Sequence, residues 1–392
     1  MPNASVRMQR VDLPIIPTIA QLVRDTPGTI SLGQGVVNYG PPTGALAAIE
    51  TMTADPANHK YQAVGGIAPL VAAIRGKLLR ENSIAAAGSE LMVTAGSNMA
   101  FLNAVLAVGD AGDEFILPLP YYFNQEMAIR MAGCTPVCVP TTADYQLDLA
   151  AIEAAITART RAIVTVSPNN PTGAVYPEAD LREVNRICRA RGLYHFSDEA
   201  YEYFVYDGAR HYSPASLADT ADYTLSFFSF SKTYGMASWR VGFMVYPAHL
   251  AEAMNKVQDT NLICAPVVSQ HVARAALQLG KVSIEPRLAD LARVRARVYQ
   301  SLAQIADIAQ FPRSQGAFYV LMKLPGVEDT MAFNEAMIRR HQVATIPGFA
   351  FGLSDVRAAN YQRLSYGALD EATVHEGVQR YLRAVREWYG GQ

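Results

Sequence analysis

The chain has 392 residues, of which 50% are hydrophobic and 17% charged, and its formal net charge is −2. That length suits one large domain and a smaller one. Lysines and arginines are spread along the chain, so no basic stripe points to nucleic acid and no polybasic cluster to a membrane surface. The start has no apolar run of signal-peptide type, and no apolar span is long enough for a transmembrane helix, so a cytoplasmic protein acting on small molecules is expected. The four cysteines, Cys134, Cys138, Cys188 and Cys264, form no CxxC pair and are expected to be buried free thiols. The seven histidines lack metal-ligand spacing, so no metal is expected.

Residues 1–30, with Pro14, Pro17 and Pro27, read as an arm leading into a short strand. The Gly- and Pro-dense stretch Ile30 to Pro42 is a loop where backbone approaches something closely. A helix is expected from Thr43, then a turn at His59 to Gly66, then a helix through Leu70, Ile74, Leu78 and Leu79. Strand-like runs follow at 90–94, 114–117, 136–139, 161–166, 194–197 and 223–228, mostly separated by helical patterns such as Leu181, Val184, Ile187 and Cys188. Several of these runs are apolar throughout, as in a parallel sheet covered on both faces.

Past residue 285 the texture changes. A long helix from Ile284 to Ile308 carries Leu288, Leu291, Val294, Val298 and Leu302 on one face. Strands are expected at 317–322, 343–346 and 361–366, with a terminal amphipathic helix. The fold class is α/β: a large domain whose mostly parallel sheet is sandwiched by helices, plus a smaller α+β domain. The boundaries are read as 1–45 (arm and part of the small domain), 46–284 (large domain) and 285–392 (small domain).

Four segments that follow strands carry chemistry. Ala95-Gly96-Ser97-Asn98 opens a helix with free N–H groups, a hydroxyl and an amide at the positive end of its dipole, an anion site suited to phosphate; a simple N-cap is the alternative reading. Ser167-Pro-Asn-Asn170-Pro-Thr-Gly173 holds an asparagine in a rigid turn. Phe196-Ser-Asp198-Glu-Ala-Tyr201 places an acid at a strand's carboxyl end, where sheet enzymes bind ligands. In Ser226 to Gly242 an aromatic run ends in Lys232, with Arg240 following. Burial there would lower the amine's pKa, and the neutral amine is the form that makes a Schiff base. Pyridoxal 5'-phosphate explains all four, because it needs a lysine for its aldehyde, an anion site for its phosphate, a carboxylate for its ring nitrogen and donors at its phenolic oxygen.

From about Gly33 to Gly367 the chain resembles the fold type I pyridoxal-phosphate aminotransferases of class I/II, on the order and spacing of Asn-Asn-Pro-Thr-Gly, Asp-Glu-Ala-Tyr, Ser-Phe-Ser-Lys and Arg-Leu-Ser-Tyr. The resemblance implies that Lys232 binds the cofactor covalently and moves the proton, that Asp198 pairs with the ring nitrogen, and that Asn170 and Tyr201 contact the phenolic oxygen. It gives Gly96, Ser97, Asn98, Ser229 and Arg240 to the phosphate. Tyr122, with Tyr121 beside it, corresponds to the aromatic stacked on the ring, and Tyr61 to a tyrosine that reaches the neighbouring subunit's phosphate, which implies a homodimer with shared active sites. Arg363 matches the arginine that grips the substrate α-carboxylate, and Gly35 sits in the glycine loop over substrate. The run Gly35-Val-Val-Asn-Tyr39 departs from the family's glycine-x-proline-aspartate-phenylalanine.

The activity implied is ping-pong transfer of an amino group from an L-amino acid to a 2-oxo acid. Asn98 stands where aspartate-specific bacterial relatives carry a lysine, and Tyr39, Tyr121 and Tyr122 are expected near the site, so neutral or aromatic donors are favoured. An aspartate aminotransferase, or a lyase or carbon–carbon bond-forming enzyme on the same frame, is the alternative.

Overall fold

Period-two alternation along the apolar runs decides how the chain packs. In the computed structural model, which describes residues 4–11, 13, 15–85, 88–353 and 359–390, these runs become the strands of a central sheet. Along the chain come β1 (Ile30–Ser31), β2 (Ser89–Thr94), β3 (Glu114–Pro118), β4 (Thr135–Val139), β5 (Thr160–Val166), β6 (Tyr194–Asp198), β7 (Thr224–Ser229) and β8 (Gly242–Pro247). β9 (Tyr319–Pro325), β10 (Val343–Ala344), β11 (Ile346–Pro347) and β12 (Ala359–Ser365) follow.

β2 to β8 form one sheet in the order β2-β8-β7-β6-β5-β3-β4. Neighbours run parallel except where β8 pairs antiparallel with β2 and β7. Because side chains alternate across a strand, Met92, Phe115, Leu117, Val164, Phe227 and Met244 pack on one face with Phe101, Ile129 and Met254. Leu91, Val93, Phe228 and Phe243 face the other way, against Leu70, Ile74, Val272 and Ala276. Ile116 and Ile163 share that opposite side with Leu181, Val184 and Ile187. Each such side chain is worth about 1.5–3 kcal/mol on burial, so both faces need cover. Helix Glu178–Arg191 illustrates local agreement with the fold: Glu178 and Asp180 lie in its first turn, Arg189 and Arg191 in its last, and Gly192 ends it at φ 65°.

β9, β11 and β12 make a separate antiparallel sheet, and β1 pairs parallel with β10, tying the N-terminal arm to the C-terminal part. Its core joins Leu32, Phe318, Val320 and Leu364 to Leu291, Val298 and Leu302 of helix Glu285–Leu302 and to Val378 and Tyr381 of helix Glu371–Gly390.

Several expectations need correction. The helix from Thr43 is broken into Thr43–Leu46 and Ala48–Ala54. Leu79 points to solvent, since its neighbour Leu78 already occupies the buried stripe of helix Ala68–Glu81. All four cysteines are free, but only Cys134 and Cys188 are buried: Cys138, on the edge strand β4, is exposed and Cys264 is half-buried. Strand β8 and the helices Ala251–Asn261 and Val267–Leu279 were not anticipated individually. Pro14 lies outside the described residues. Among the described residues no helix is long and apolar enough to cross a membrane, and no group of His, Cys, Asp and Glu could hold a metal ion.

Candidate active site

The carboxyl ends of β5, β6 and β7 and the turn after β2 converge on one pocket. Ser97, Asn98, Tyr122, Asn170, Asp198, Tyr201, Ser229, Lys232 and Arg240, all expected from sequence, line it together with Val166, Ala200 and Ser231.

At one end the chain leaves β2 and passes through Gly96 at φ 84° into helix Ser97–Val108, whose N-terminus has no side-chain cap. The first N–H groups of that helix therefore remain available to an anion. Arg240, itself in the left-handed region at φ 49°, donates from Nη2 to the Ala95 carbonyl (3.1 Å) and from Nη1 to the Ala237 carbonyl (2.8 Å). A Cβ on Gly96 would stand 2.4 Å from Arg240 Nη2, so only glycine lets the guanidinium lie against this turn.

On the floor, Asp198 ends β6 and is buried. Its carboxylate accepts from Gln125 Nε2 (2.8 Å) and from the Ala200 N–H (3.2 Å). Burial pushes its pKa up to about 6; the neighbouring Glu199 charge adds to this, while the Ala200 N–H, Gln125 and Lys232 hold it back. Lys232 follows β7 and donates from Nζ to the Gly35 carbonyl. Its pKa is pulled down to about 8 by desolvation and then by the Arg363 and Arg240 guanidinium groups, against the pull of Asp198. An appreciable fraction of the amine is thus neutral near neutral pH, the nucleophilic form.

At the other end Arg363 of β12 is 2% exposed. Nη1 donates to Asn170 Oδ1 (2.9 Å) and Nη2 to the Gly33 carbonyl (2.7 Å), while Nε is buried without a protein partner. The guanidinium lies 4.6 Å from the Tyr319 ring centroid and 5.0 Å from that of Phe351. Asn170 Nδ2 also donates to the Tyr201 hydroxyl (3.2 Å), which shares a hydrogen bond with the Tyr319 hydroxyl (2.7 Å). Gly35 belongs here too: a Cβ on it would sit 2.8 Å from the Tyr319 hydroxyl.

The two adjacent tyrosines separate. Tyr122 lines the pocket and receives Asn124 Nδ2 (2.9 Å) and Asn98 Nδ2 (3.5 Å) on its hydroxyl. Tyr121 lines a neighbouring cavity with Leu13, Ile15, Phe123, Glu126, Met127, Phe349 and Ala350. Tyr39 is not part of the pocket: the Arg287 guanidinium sits 4.7 Å from its ring centroid, an attraction that turns the ring toward helix Glu285–Leu302. Tyr61 is 80% exposed and is not among the residues that line the pocket.

Gln125 and Tyr319 escaped the sequence reading. Gln125 had a detectable signal, a polar residue one helical turn from Tyr122 on a face that turns inward. Tyr319 had none, because its strand reads as apolar core. The arrangement has two anion-binding ends with a partly neutral amine and a buried carboxylate between them, and it can hold a phosphate at one end and a carboxylate at the other.

Comparison with known proteins agrees with this geometry. The family model for aminotransferase class I and II matches residues 27–380. An aromatic aminotransferase of Arabidopsis thaliana, ISS1, is 34% identical over 392 residues, covering 98% of this chain and 96% of that one. An aspartate aminotransferase of Streptomyces avermitilis is 32% identical over 371 residues, covering 91% and 89%. The crystal structure of an aromatic aminotransferase from Pyrococcus horikoshii superposes with a TM-score of 0.85 at 32% identity, covering 95% of this chain and 99% of that one.

Proposed function

The chain belongs to the class I and II aminotransferases, a pyridoxal-phosphate-dependent family, and from that premise we propose a role for each residue of the pocket. Bound pyridoxal phosphate supplies an aldehyde for an amine and a ring that takes up the electron pair left when the substrate's Cα loses its proton. Lys232 Nζ holds that aldehyde and carries the proton to and from Cα. Asp198 holds the proton on the ring nitrogen. Asn170 and the Tyr201 hydroxyl serve the phenolic oxygen; the helix turn Gly96-Ser97-Asn98, Ser229 and Arg240 hold the phosphate; and Tyr122 covers the ring. Arg363 takes the substrate α-carboxylate as a bidentate pair under the Gly35 loop. The observation that carries this reading is that Lys232 lines one pocket with Asp198, Asn170, Tyr201, Ser229 and Arg240, where desolvation, and after it the Arg363 and Arg240 charges, lowers the basicity of its amine.

The exposed position of Tyr61 fits a residue that completes the site of a second subunit, so the reading includes a homodimer with shared sites, acting in the cytoplasm. It also includes the division into an arm (1–45), a cofactor-binding body (46–284) and a smaller body (285–392).

For the donor, the reading favours neutral and aromatic L-amino acids. Phe351 stacks on Arg363 and touches Phe123, and the cavity beyond is walled by Ile15, Tyr121, Phe123, Met127 and Phe349 with the Glu126 carboxylate at its edge. Glu126 is already paired with Arg130, so among the described residues that line this cavity a second carboxylate would find no cation, a costly burial. Relatives named for aromatic and for aspartate substrates are both among those matched, so the donor preference is open to direct test. Rates with 2-oxoglutarate and a panel of L-amino acids should rank phenylalanine, tyrosine and methionine above aspartate. Aspartate as the fastest donor would sink the preference.

A further inference from the structure

Strand register brings Tyr319 against the site from behind. β9 and β12 pair with Arg363 opposite Leu321, so Tyr319, two residues along β9, shares a face with Arg363 and lies diagonal to it, within an aromatic ring's reach. The Arg363 guanidinium lies over that ring, 4.6 Å from its centroid, and the ring meets Tyr201 at a centroid distance of 5.6 Å and an interplanar angle of 77°. Tyr201 lines the pocket; Tyr319 is wholly buried and does not.

The hydrogens of this cluster can be placed by counting donors and acceptors. Arg363 only donates, so the Asn170 oxygen faces it (2.9 Å) and Asn170 Nδ2 is left to donate to the Tyr201 oxygen (3.2 Å). Burial pushes both tyrosines up, Tyr319 to about 12 and Tyr201 well above its ordinary value, so each keeps its proton. The hydroxyl–hydroxyl bond of 2.7 Å uses only one of the two. Among the described residues the Tyr319 hydroxyl has no other acceptor, and the Gly35 loop lies close over it, since a Cβ on Gly35 would stand 2.8 Å away. If Tyr201 donated, the Tyr319 proton would be buried without a partner, a costly state. If Tyr319 donates, both lone pairs of the Tyr201 oxygen are filled and the Tyr201 proton is left for the pocket. The nearby charges are engaged elsewhere: Lys232 with the Gly35 carbonyl, Asp198 with Gln125 and the Ala200 N–H, Arg240 with the Ala95 and Ala237 carbonyls, and Arg363 with Asn170 and the Gly33 carbonyl.

We propose that Tyr319 is a positioning residue that donates to Tyr201 and thereby directs the Tyr201 hydroxyl proton onto the cofactor's phenolic oxygen. The inference rests on the assignment of Tyr201 to that oxygen. An O–H whose oxygen accepts two hydrogen bonds is polarised and binds an anionic oxygen more strongly. With the phenolic anion better held, Lys232 Nζ gives up its proton more easily in the holoenzyme.

The test is the pH titration of the holoenzyme's visible band, which follows that Nζ proton. Tyr319→Phe keeps the ring under Arg363 and removes only the hydroxyl, and should move the midpoint up by about half a pH unit. Tyr201→Phe removes the donor itself and should move it further, and the double variant should add nothing to Tyr201→Phe, because Tyr319 acts only through Tyr201. Affinity for 3-phenylpropionate, an unreactive carboxylate, should stay within about twofold of the parent in Tyr319→Phe, since the ring that backs Arg363 remains. A midpoint in Tyr319→Phe that stays or falls, a double variant whose shift is the sum of the two, or a loss of 3-phenylpropionate binding of about tenfold overturns the proposal. Tyr201→Phe separates the two levels. If it leaves the midpoint unmoved, the Tyr201 assignment falls and this inference with it; if it moves the midpoint while Tyr319→Phe does not, only the inference falls.

Discussion

Replacing Arg363 by lysine keeps the charge and removes the fork. In the parent, Nη1 and Nη2 are already aligned by Asn170 (2.9 Å) and the Gly33 carbonyl (2.7 Å), and the plane is clamped between the Tyr319 and Phe351 rings. A lysine nitrogen can satisfy one of those partners or one oxygen of the substrate carboxylate, on a stem with no plane to clamp. At least one charge-assisted hydrogen bond to substrate is lost, about 1.5–3 kcal/mol, or about 10- to 150-fold in kcat/KM. The assay is the single-turnover change of the visible cofactor band as a function of amino-acid concentration. Saturation should move to much higher concentration in Arg363→Lys. Arg363→Gln should in addition let the Lys232 amine rise from about 8, because the Arg363 charge is one of the causes that hold it down. Unchanged concentration dependence in Arg363→Lys would refute the assignment of Arg363 to the carboxylate.

Gly96→Ala places a Cβ 2.4 Å from Arg240 Nη2 at a φ of 84°, and should weaken cofactor binding tenfold or more in an equilibrium titration of the cofactor-free protein. The pocket should also cost the cofactor-free protein stability. Asp198 is raised from 3.8 to about 6, so the folded state binds the proton more tightly than the unfolded one and stability falls as pH rises between those values. Lys232 is lowered from 10.5 to about 8, so stability is regained only as pH climbs from 8 to 10.5. At pH 7 Asp198→Asn should therefore raise the Tm of the cofactor-free protein by several degrees, a gain on the order of 2–3 kcal/mol that vanishes near pH 4, while activity collapses. Subunit mixing tests the shared site: inactive Lys232→Ala and impaired Tyr61→Phe chains, co-assembled, should yield some fully competent sites, and additive behaviour would argue for self-contained ones.

The parallel part of the sheet was readable because runs such as Glu114 to Leu117 and Arg161 to Val166 are apolar on both faces, the pattern only a doubly covered strand needs. β8 was hidden by its position: Gly242 to Pro247 follows directly on the Lys232 stretch, so its residues read as the tail of a loop. The motif residues were legible because each joins an unusual group to a strand end, as Asp198 does after β6 and Lys232 after β7. The contacts that tune them were not. Gln125 reaches Asp198 across 73 residues of sequence and Tyr319 reaches Tyr201 across 118, and no local pattern encodes such pairings. Tyr39 shows the converse, a residue close to Gly35 in sequence that Arg287 draws away from the pocket.

The most direct test of the account is a half-reaction. The yellow holoenzyme receives one L-amino acid and no oxo acid, and its visible spectrum is followed. Complete bleaching with phenylalanine or methionine, reversed on adding a 2-oxo acid, is the result expected of amino-group transfer through this pocket. Release of ammonia without bleaching, or no response to any amino acid, would contradict it.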